Sequence, residues 1–440
     1  MWTYHPALLA TPVPRYTSYP TAAEFHDQVS PNDMAEALDA IADDTPLSLY
    51  LHIPFCREIC WYCGCNTGAA NRTDRVDAYL ASLEAEVAMV AARLGGRGRV
   101  DRIAFGGGSP NAIPHEAFDR LLGGVKTAFG CDDPVVSVEI DPRIFDSGWA
   151  AALQRNGVTR VSLGVQTFDP AIQAAIGRVQ PHAMVADAMA MLRAAGVSSI
   201  NFDLMYGLPG QTADMLRETL AAAIAIAPDR LAVFGYAHVP QMIPRQRRID
   251  ASALPGSAER FAQAALAHDV LTAAGYVAIG FDHFARADDG IARAAAQGNL
   301  KRNFQGFTED TAEVLIGLGA TAISAFPDRL LQNAKNTGQY RVAIEAGQFP
   351  IERGLLRSAD DRQRGDAIEA VLSHGSADLG GFADLTDIKT RLWRFEALDL
   401  VRWRGERLEL THAALPYARS IASILDRYRA PAEQRFSVAI

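Results

Sequence analysis

LSLYLHIPFCREICWYCGCN, residues 47–66, runs a strand-like apolar stretch directly into four cysteines, Cys56, Cys60, Cys63 and Cys65, separated by three, two and one residues. Three thiolates can each hold one iron of a cubane, and such short spacings let a single loop wrap the cluster. If Cys65 is not a ligand, the fourth iron keeps an open site, which a small molecule bearing an adjacent amine and carboxylate can chelate. Zinc would need four ligands, usually as two pairs across a longer loop, and no second pair of Cys or His has a recognisable spacing. A thioredoxin-like redox pair would explain Cys60 and Cys63 but leave Cys56 idle.

Working outward, 47–285 alternates apolar, β-branched runs with helical patterns. Candidate strands are 47–53, 102–106, 135–141, 160–166, 199–207 and 230–240, and the clearest helical patterns are 75–94 and 215–227. Repeated βα units imply a parallel sheet with right-handed crossovers. Six of them predict an α/β fold, a partial (β/α)6 TIM-like barrel, with its chemistry at the C-terminal ends of the strands. Residues 1–46 read as an extended arm and one helix, and 286–355 as an elaboration of the barrel. Residues 356–440 read as a small, mainly helical, winged-helix-like domain, with a hairpin signal in LVRWRGERLELT (400–411). Such modules often bind DNA, but 12 Lys plus Arg against 13 Asp plus Glu over 360–440 favour a lid or packing role.

At 440 residues, 49% hydrophobic and 21% charged, the chain can bury a sizeable core without disulfide staples. No apolar run approaches a membrane span. The stretch MWTYHPALLATPVPRYTSYPTA lacks the pattern of a secretory signal, so the cytoplasm is the expected location. A net charge of -9 opposes nonspecific attraction to nucleic acid or anionic lipid. Four of five cysteines within ten residues point to metal or thiol chemistry rather than structural disulfides.

Other candidates fall at strand ends. Gly106, Gly107 and Gly108 close the second strand, where missing side chains admit either a ligand against the backbone or a tight turn. Glu139 and Asp141 in VVSVEID, Gln166 in SLGVQ and Asp203 in INFDL are polar groups that need hydrogen-bond partners if buried. Together at one rim they read as a structural network or as the seat of a polar ligand. Arg15, Arg245, Arg247, Arg248 and Arg302 are cations near the motifs, each equally readable as a solvated surface residue. His52 and His238 have no metal-ligand spacing and read as core histidines, and Cys131 as structural.

CxxxCxxC after the first strand of a partial barrel resembles the signature of the radical S-adenosylmethionine superfamily. The whole chain is similar to one of its families, the oxygen-independent coproporphyrinogen III oxidases. The similarity runs through PRYTSYPTA (14–22), GGGSPN (106–111), SVEIDPR (137–143), SLGVQTF (162–168) and INFDLMYGLPGQT (200–212). It continues through FGYAHVPQM (234–242), GFDHFA (280–285), RNFQGFT (302–308) and the terminal FSVAI. The resemblance implies a [4Fe-4S] cluster on Cys56, Cys60 and Cys63 and two S-adenosylmethionines per active site. It assigns Tyr50, Gly107, Glu139 and Ile323 to the first of these molecules. Gly108, Ser109, Gln166, Arg178 and Asp203, with the backbone at Tyr62 and Ala237, go to the second. Ser109 stands where the family usually has Thr, and Phe307 where it usually has Tyr. Cys65 and Gln305 are implied as needed for activity without binding the cluster. Cys65 and the N-terminal arm also set this chain apart from related haem-chaperone-like proteins.

The reaction so implied turns two propionates of coproporphyrinogen III into vinyls, giving protoporphyrinogen IX. The expected partners are that substrate and a reducing donor such as a flavodoxin or ferredoxin, with no nucleic acid or membrane, and a monomeric protein by analogy. A haem-transfer protein that keeps the cluster, or a radical enzyme for another tetrapyrrole, are the competing expectations.

Overall fold

In the computed structural model, which describes residues 2–429, the predicted units form a parallel sheet. FSVAI, 436–440, and the end of the expected C-terminal domain lie outside the described residues. The six strands are β1 (Pro46–Ile53), β2 (Arg99–Gly107), β3 (Val135–Ile140), β4 (Arg160–Gln166), β5 (Ser199–Tyr206) and β6 (Arg230–Gly235). They pair in parallel in that order. The principal helices between and after them are α1 (Thr73–Leu94), α2 (His115–Phe129), α3 (Ser147–Arg155), α4 (His182–Ala194), α5 (Ala213–Ile226) and α6 (Ser257–Ala273). Local chemistry sets their ends. Asp146 and Thr212 cap α3 and α5 by accepting from Trp149 N and Met215 N, and Gly95 takes φ 59 to end α1.

The period of two along each strand separates two environments. Val161, Leu163, Ile200, Phe202 and Leu204 turn outward and are buried in one apolar core with Leu192, Leu216 and Leu220 of the helices. At roughly 25 cal/mol per Å² of apolar surface, this layer is the main driving force for closing helices onto the sheet. The alternate positions, Ser48, Arg102, Ser137, Glu139, Arg160, Ser162, Asn201, Asp203 and Arg230, line a polar lumen of about 260 Å³.

The sheet stays open and grows at both edges to twelve strands. Val314–Leu318 pairs in parallel with β1 and leads into an antiparallel meander, Ile323–Phe326, Arg329–Asn333 and Ile351–Leu356. At the other edge His283–Ala285 and Val277–Ile279 add antiparallel strands beside β6. The floor of the lumen is tied by charge. Arg102, Arg160 and Arg230, from alternate strands, surround Glu309, which lies 3.6 Å from Arg102 and 3.4 Å from Arg230 and is paired with Arg160. Burial alone would raise the Glu309 carboxyl; these arginines hold it below its ordinary range.

One strand is shorter than its sequence suggests. The apolar run 230–240 leaves the sheet after Gly235: Tyr236 N makes the last ladder bond, to the Tyr206 carbonyl (2.9 Å), and beyond it Val239 N turns to Gln246 Oε1 (2.6 Å). Past the barrel, helix Ala359–His374, strand Ser376–Asp378, helix Leu385–Ala397 and hairpin Val401–Arg404/Arg407–Leu410 make a winged-helix pattern with a three-stranded sheet. The N-terminal arm is fastened to this region. Tyr417 Oη donates to the Thr3 carbonyl (2.6 Å), Tyr16 Oη to Asp426 (3.0 Å), and Arg427 N to Tyr19 Oη (3.1 Å).

Glu86 of α1 is an acid buried in the core behind β1. It accepts from Tyr340 Oη (2.7 Å), Gly319 N (2.6 Å) and Asn333 Nδ2 (2.7 Å), yet burial pushes its carboxyl up to about 7. A carboxyl raised in the folded state stabilises fully below its unfolded value near 4.5, and loses that contribution as pH rises to about 7. Glu86→Gln removes the titration. Chemical denaturation at pH 5 and pH 7.5 should therefore show the wild type's advantage over the variant shrinking by roughly 2 kcal/mol as pH rises. An advantage unchanged with pH would mean that Glu86 is ionised in the fold.

Candidate active site

The cysteine loop leaves β1 and returns beside itself. Gly68 N donates to the Pro54 carbonyl and Ala70 N to the Cys56 carbonyl, both at 2.8 Å, so Phe55–Cys56 pairs with Gly68–Ala69. The segment after β6 clamps it from above. Gln246 Nε2 donates to the carbonyls of Tyr62 (2.8 Å) and Ala237 (3.0 Å), and Arg245 Nη2 to that of Cys65 (3.2 Å). Arg248 lies over the Trp61 ring, and Trp61 packs where a side chain on Gly177 would stand. Arg245 and Arg248 thus serve the loop.

Cys56, Cys60 and Cys63 line one cavity of about 190 Å³, and each sulfur meets hydrogen-bond donors. Thr67 Oγ1 lies 3.1 Å and Ser109 Oγ 3.6 Å from Cys56 Sγ. Arg178 Nη1 lies 3.3 Å and Arg143 Nη2 3.5 Å from Cys60 Sγ. Cys65 N lies 3.4 Å from Cys63 Sγ. Burial pushes the Cys56 thiol up, while the neighbouring Cys65 brings Cys63 down to about 6. Among the described residues no three His, Cys, Asp or Glu side chains converge closely enough to hold a metal ion as they stand, the three cysteines included. Sulfurs that face a shared space, with donors behind them, fit the second shell of an iron–sulfur cluster.

Behind the sulfurs stands an ion network. Asp141 pairs with Arg143 (2.7 Å) and Arg178 (3.2 Å), and Asn111 satisfies its backbone on both sides at 2.9 Å. Burial acts to raise Asp141, but the two guanidiniums hold it below the usual carboxylate range. Glu139 has no cation. It accepts from Gly107 N (3.1 Å), and burial with the nearby Asp203 pushes it up to about 7. Asp203, bonded by Ser162 (3.0 Å) and Asn201 (2.8 Å), is also raised by burial. Gln166 holds a left-handed backbone, φ 68, at the end of β4.

The glycine run has a packing cause of its own. A Cβ on Gly106 would stand 2.7 Å from the Glu139 carboxylate, on Gly107 (φ 112) 2.4 Å from the His52 ring, and on Gly108 2.5 Å from the Phe55 carbonyl. Close approach of β1, β2 and Glu139 requires the glycines whatever else binds there.

One cavity thus gathers the four cysteines of the loop with Tyr62, Gly107, Gly108, Ser109, Glu139, Gln166, Arg178 and Asp203. Four expected residues stand off it. Tyr50 faces Gly317 in register, its hydroxyl 3.1 Å from His52 Nδ1, and Ile323 lies against Gly317 on the far side. Ala237 is tied to the loop through Gln246, which donates to its carbonyl and to that of Tyr62. Gln305, in the turn between Lys301–Asn303 and Gly306–Thr308, lines the lumen, which shares Glu139, Ser162 and Asp203 with the cysteine cavity. Burial brings the His52 ring down to about 4, so it is neutral, and Cys131 is buried. Sequence reasoning missed Arg143, Gln246, Asn111 and Thr67. Arg143 had a signal, a cation two residues after Asp141 in DPR; Gln246, inside PRQRR, had none.

Residues 50–223 match the Radical SAM superfamily. The chain is 42% identical to the oxygen-independent coproporphyrinogen III oxidase of Bradyrhizobium diazoefficiens, over 97% of each chain. It is 38% identical to that of Pseudomonas aeruginosa, over 97% of this chain and 96% of the other. A solved structure of coproporphyrinogen III oxidase from Escherichia coli, a radical SAM enzyme, superposes with a TM-score of 0.91 at 33% identity, covering 97% of this chain and all of that one. With the cysteine cavity, the parallel rim and these relatives in agreement, the chain belongs to the oxygen-independent coproporphyrinogen III oxidases of the radical SAM superfamily.

Proposed function

We propose that this chain decarboxylates two propionates of coproporphyrinogen III to vinyls without oxygen, giving protoporphyrinogen IX. The observation that carries the reading is the cavity in which three hydrogen-bonded cysteine sulfurs meet Glu139, Arg178 and Asp203 at the barrel rim. When bound, the cluster and S-adenosylmethionine supply a 5'-deoxyadenosyl radical able to take hydrogen from a propionate carbon.

The protein's part is to hold, orient and exclude water. Cys56, Cys60 and Cys63 hold the cluster, and Arg143 and Arg178 place positive charge against the Cys60 sulfur. Tyr50, Gly107, Glu139 and Ile323 take one S-adenosylmethionine. A cationic amine beside Glu139 would keep that raised carboxyl ionised. Gly108, Ser109, Gln166, Arg178 and Asp203, with the backbone at Tyr62 and Ala237, take the second. Cys65 and Gln305 act on the substrate side, and the clamp of Gln246 and Arg245 keeps the cysteine loop folded over the cavity.

Five free cysteines suit a reducing cytoplasm, and no described helix is long and apolar enough to cross a membrane. A reduced flavodoxin or ferredoxin as donor, and a monomer, complete the reading.

Anaerobically reconstituted protein given reductant, S-adenosylmethionine and coproporphyrinogen III should release two carbon dioxides per protoporphyrinogen formed. Absence of both carbon dioxide and 5'-deoxyadenosine would overturn the proposal. Cys56→Ala should fail to develop the visible absorbance of the cluster, whereas Cys65→Ala should develop it and lose turnover. A normal cluster in Cys56→Ala would remove that cysteine from the ligand set.

A further inference from the structure

Four guanidiniums gather at the C-terminal ends of β5 and β6 with little negative charge to meet them. Arg15 of the N-terminal arm donates to the Gly235 carbonyl (2.9 Å) and lies over Phe234. Arg302 donates to the Arg15 carbonyl (3.3 Å) and lies 4.4 Å and 4.9 Å from the Phe307 and Phe281 ring centres. Among the described residues its Nε and Nη1 are buried without a hydrogen-bond partner. Arg419 lies over the same Phe281 ring, and Arg260 is buried with its Nε unpartnered among the described residues. Asp282 is the acid that faces Arg15, Arg302 and Arg419, one carboxylate against three guanidiniums, and Glu369 also acts on Arg302. Asp282 is bonded to His283 Nδ1 at 2.7 Å. Glu369 accepts from the Arg302 backbone and lies 3.7 Å from Lys301. The crowding is unfavourable as it stands, since burial followed by repulsion from Arg15 brings the Arg419 guanidinium down to about 10. A chain of net charge -9 has thus collected cations where the described residues supply few anions.

Arg15, Asp282 and Arg419 line a cleft with Tyr206, Phe234 and Gly235. Phe234 also lines the lumen, together with Gln305, Glu139 and Asp203, and the last two reach the cysteine cavity. Cleft and lumen are therefore neighbours that share the Phe234 wall, and the lumen in turn adjoins the cysteine cavity through Glu139 and Asp203. Guanidiniums bind carboxylates through paired, parallel hydrogen bonds, and aromatic faces suit the separate pyrrole rings of a porphyrinogen.

We propose that Arg15, Arg260, Arg302 and Arg419 form the seat for carboxylates of the tetra-acid porphyrinogen that do not react, fixing which edge of the ring faces the cysteine cavity. This rests on the substrate named above. Arg245 and Arg248, equally prominent in the sequence, are excluded because they hold the cysteine loop.

The test uses the cluster-loaded enzyme and coproporphyrin III, the stable aromatic tetra-acid, with its tetramethyl ester as an uncharged control. The tetra-acid should bind wild type at least tenfold more tightly than the ester, and more weakly as salt rises. Arg302→Gln and Arg419→Gln should each weaken tetra-acid binding about tenfold, a change of roughly 1.4 kcal/mol, and leave ester binding unchanged. Arg419→Lys should recover part of the loss. A structural role for the arginines would lower both ligands together. Equal binding of acid and ester by wild type overturns the seat without reference to any variant. Wild-type affinity for the acid in both Gln variants overturns it too. If the wild type discriminates as expected and the variants lose it, yet no porphyrinogen is decarboxylated, the seat stands and the proposed reaction falls.

Discussion

Parallel pairing obliges every strand to end on the same rim. In this chain the ends carry Glu139, Asp141, Gln166 and Asp203, so acids are driven together in a space largely closed to water. The site is the set of devices that make this tolerable. Asp141 is neutralised by Arg143 and Arg178, and Asp203 is bonded by Ser162 and Asn201. Glu139, with one backbone N–H and no cation, absorbs the remaining strain by holding its proton near neutrality. Of the two rim acids without a paired cation among the described residues, Glu139 has the fewer hydrogen bonds, and a cationic ligand beside it has most to gain.

The same arginines connect the acids to the sulfurs. Arg178 touches Asp141, the Gly164 carbonyl and Cys60 at once, and Arg143 touches Asp141, Glu58 and Cys60. Strand ends and cysteine loop are therefore one electrostatic unit rather than a loop resting on a scaffold. A change at either arginine alters the charge felt by a sulfur and by a carboxylate together.

Much of this was legible in the sequence because it is local. Periodicity located the six strands and the long helices α1 and α5, and the spacing of Cys56, Cys60 and Cys63 in one short loop pointed to a shared metal site. The misreadings arise where distant segments meet. Nothing in 230–240 announces that Gln246 will capture the Val239 N–H and draw the backbone off the sheet beyond Gly235. Gln246 looks like a surface residue in a basic stretch, yet it is 1% exposed and links two loops. The glycine run read naturally as room for a ligand, whereas His52, Phe55 and Glu139 already occupy the empty Cβ positions. Arg260 and Arg419 went unnoticed because only the fold brings them to Arg15 and Arg302.

The floor of the lumen bears on how an open sheet of this kind keeps its shape. A complete barrel stacks layers of four side chains from alternate strands; here β2, β4 and β6 supply three arginines, and Glu309, from the connection ahead of Val314–Leu318, stands as the missing spoke. The ring is completed by ion pairs instead of a strand ladder. Parting its seam separates charges but breaks no backbone pairing, and the hairpin bearing Gln305 hangs from that seam.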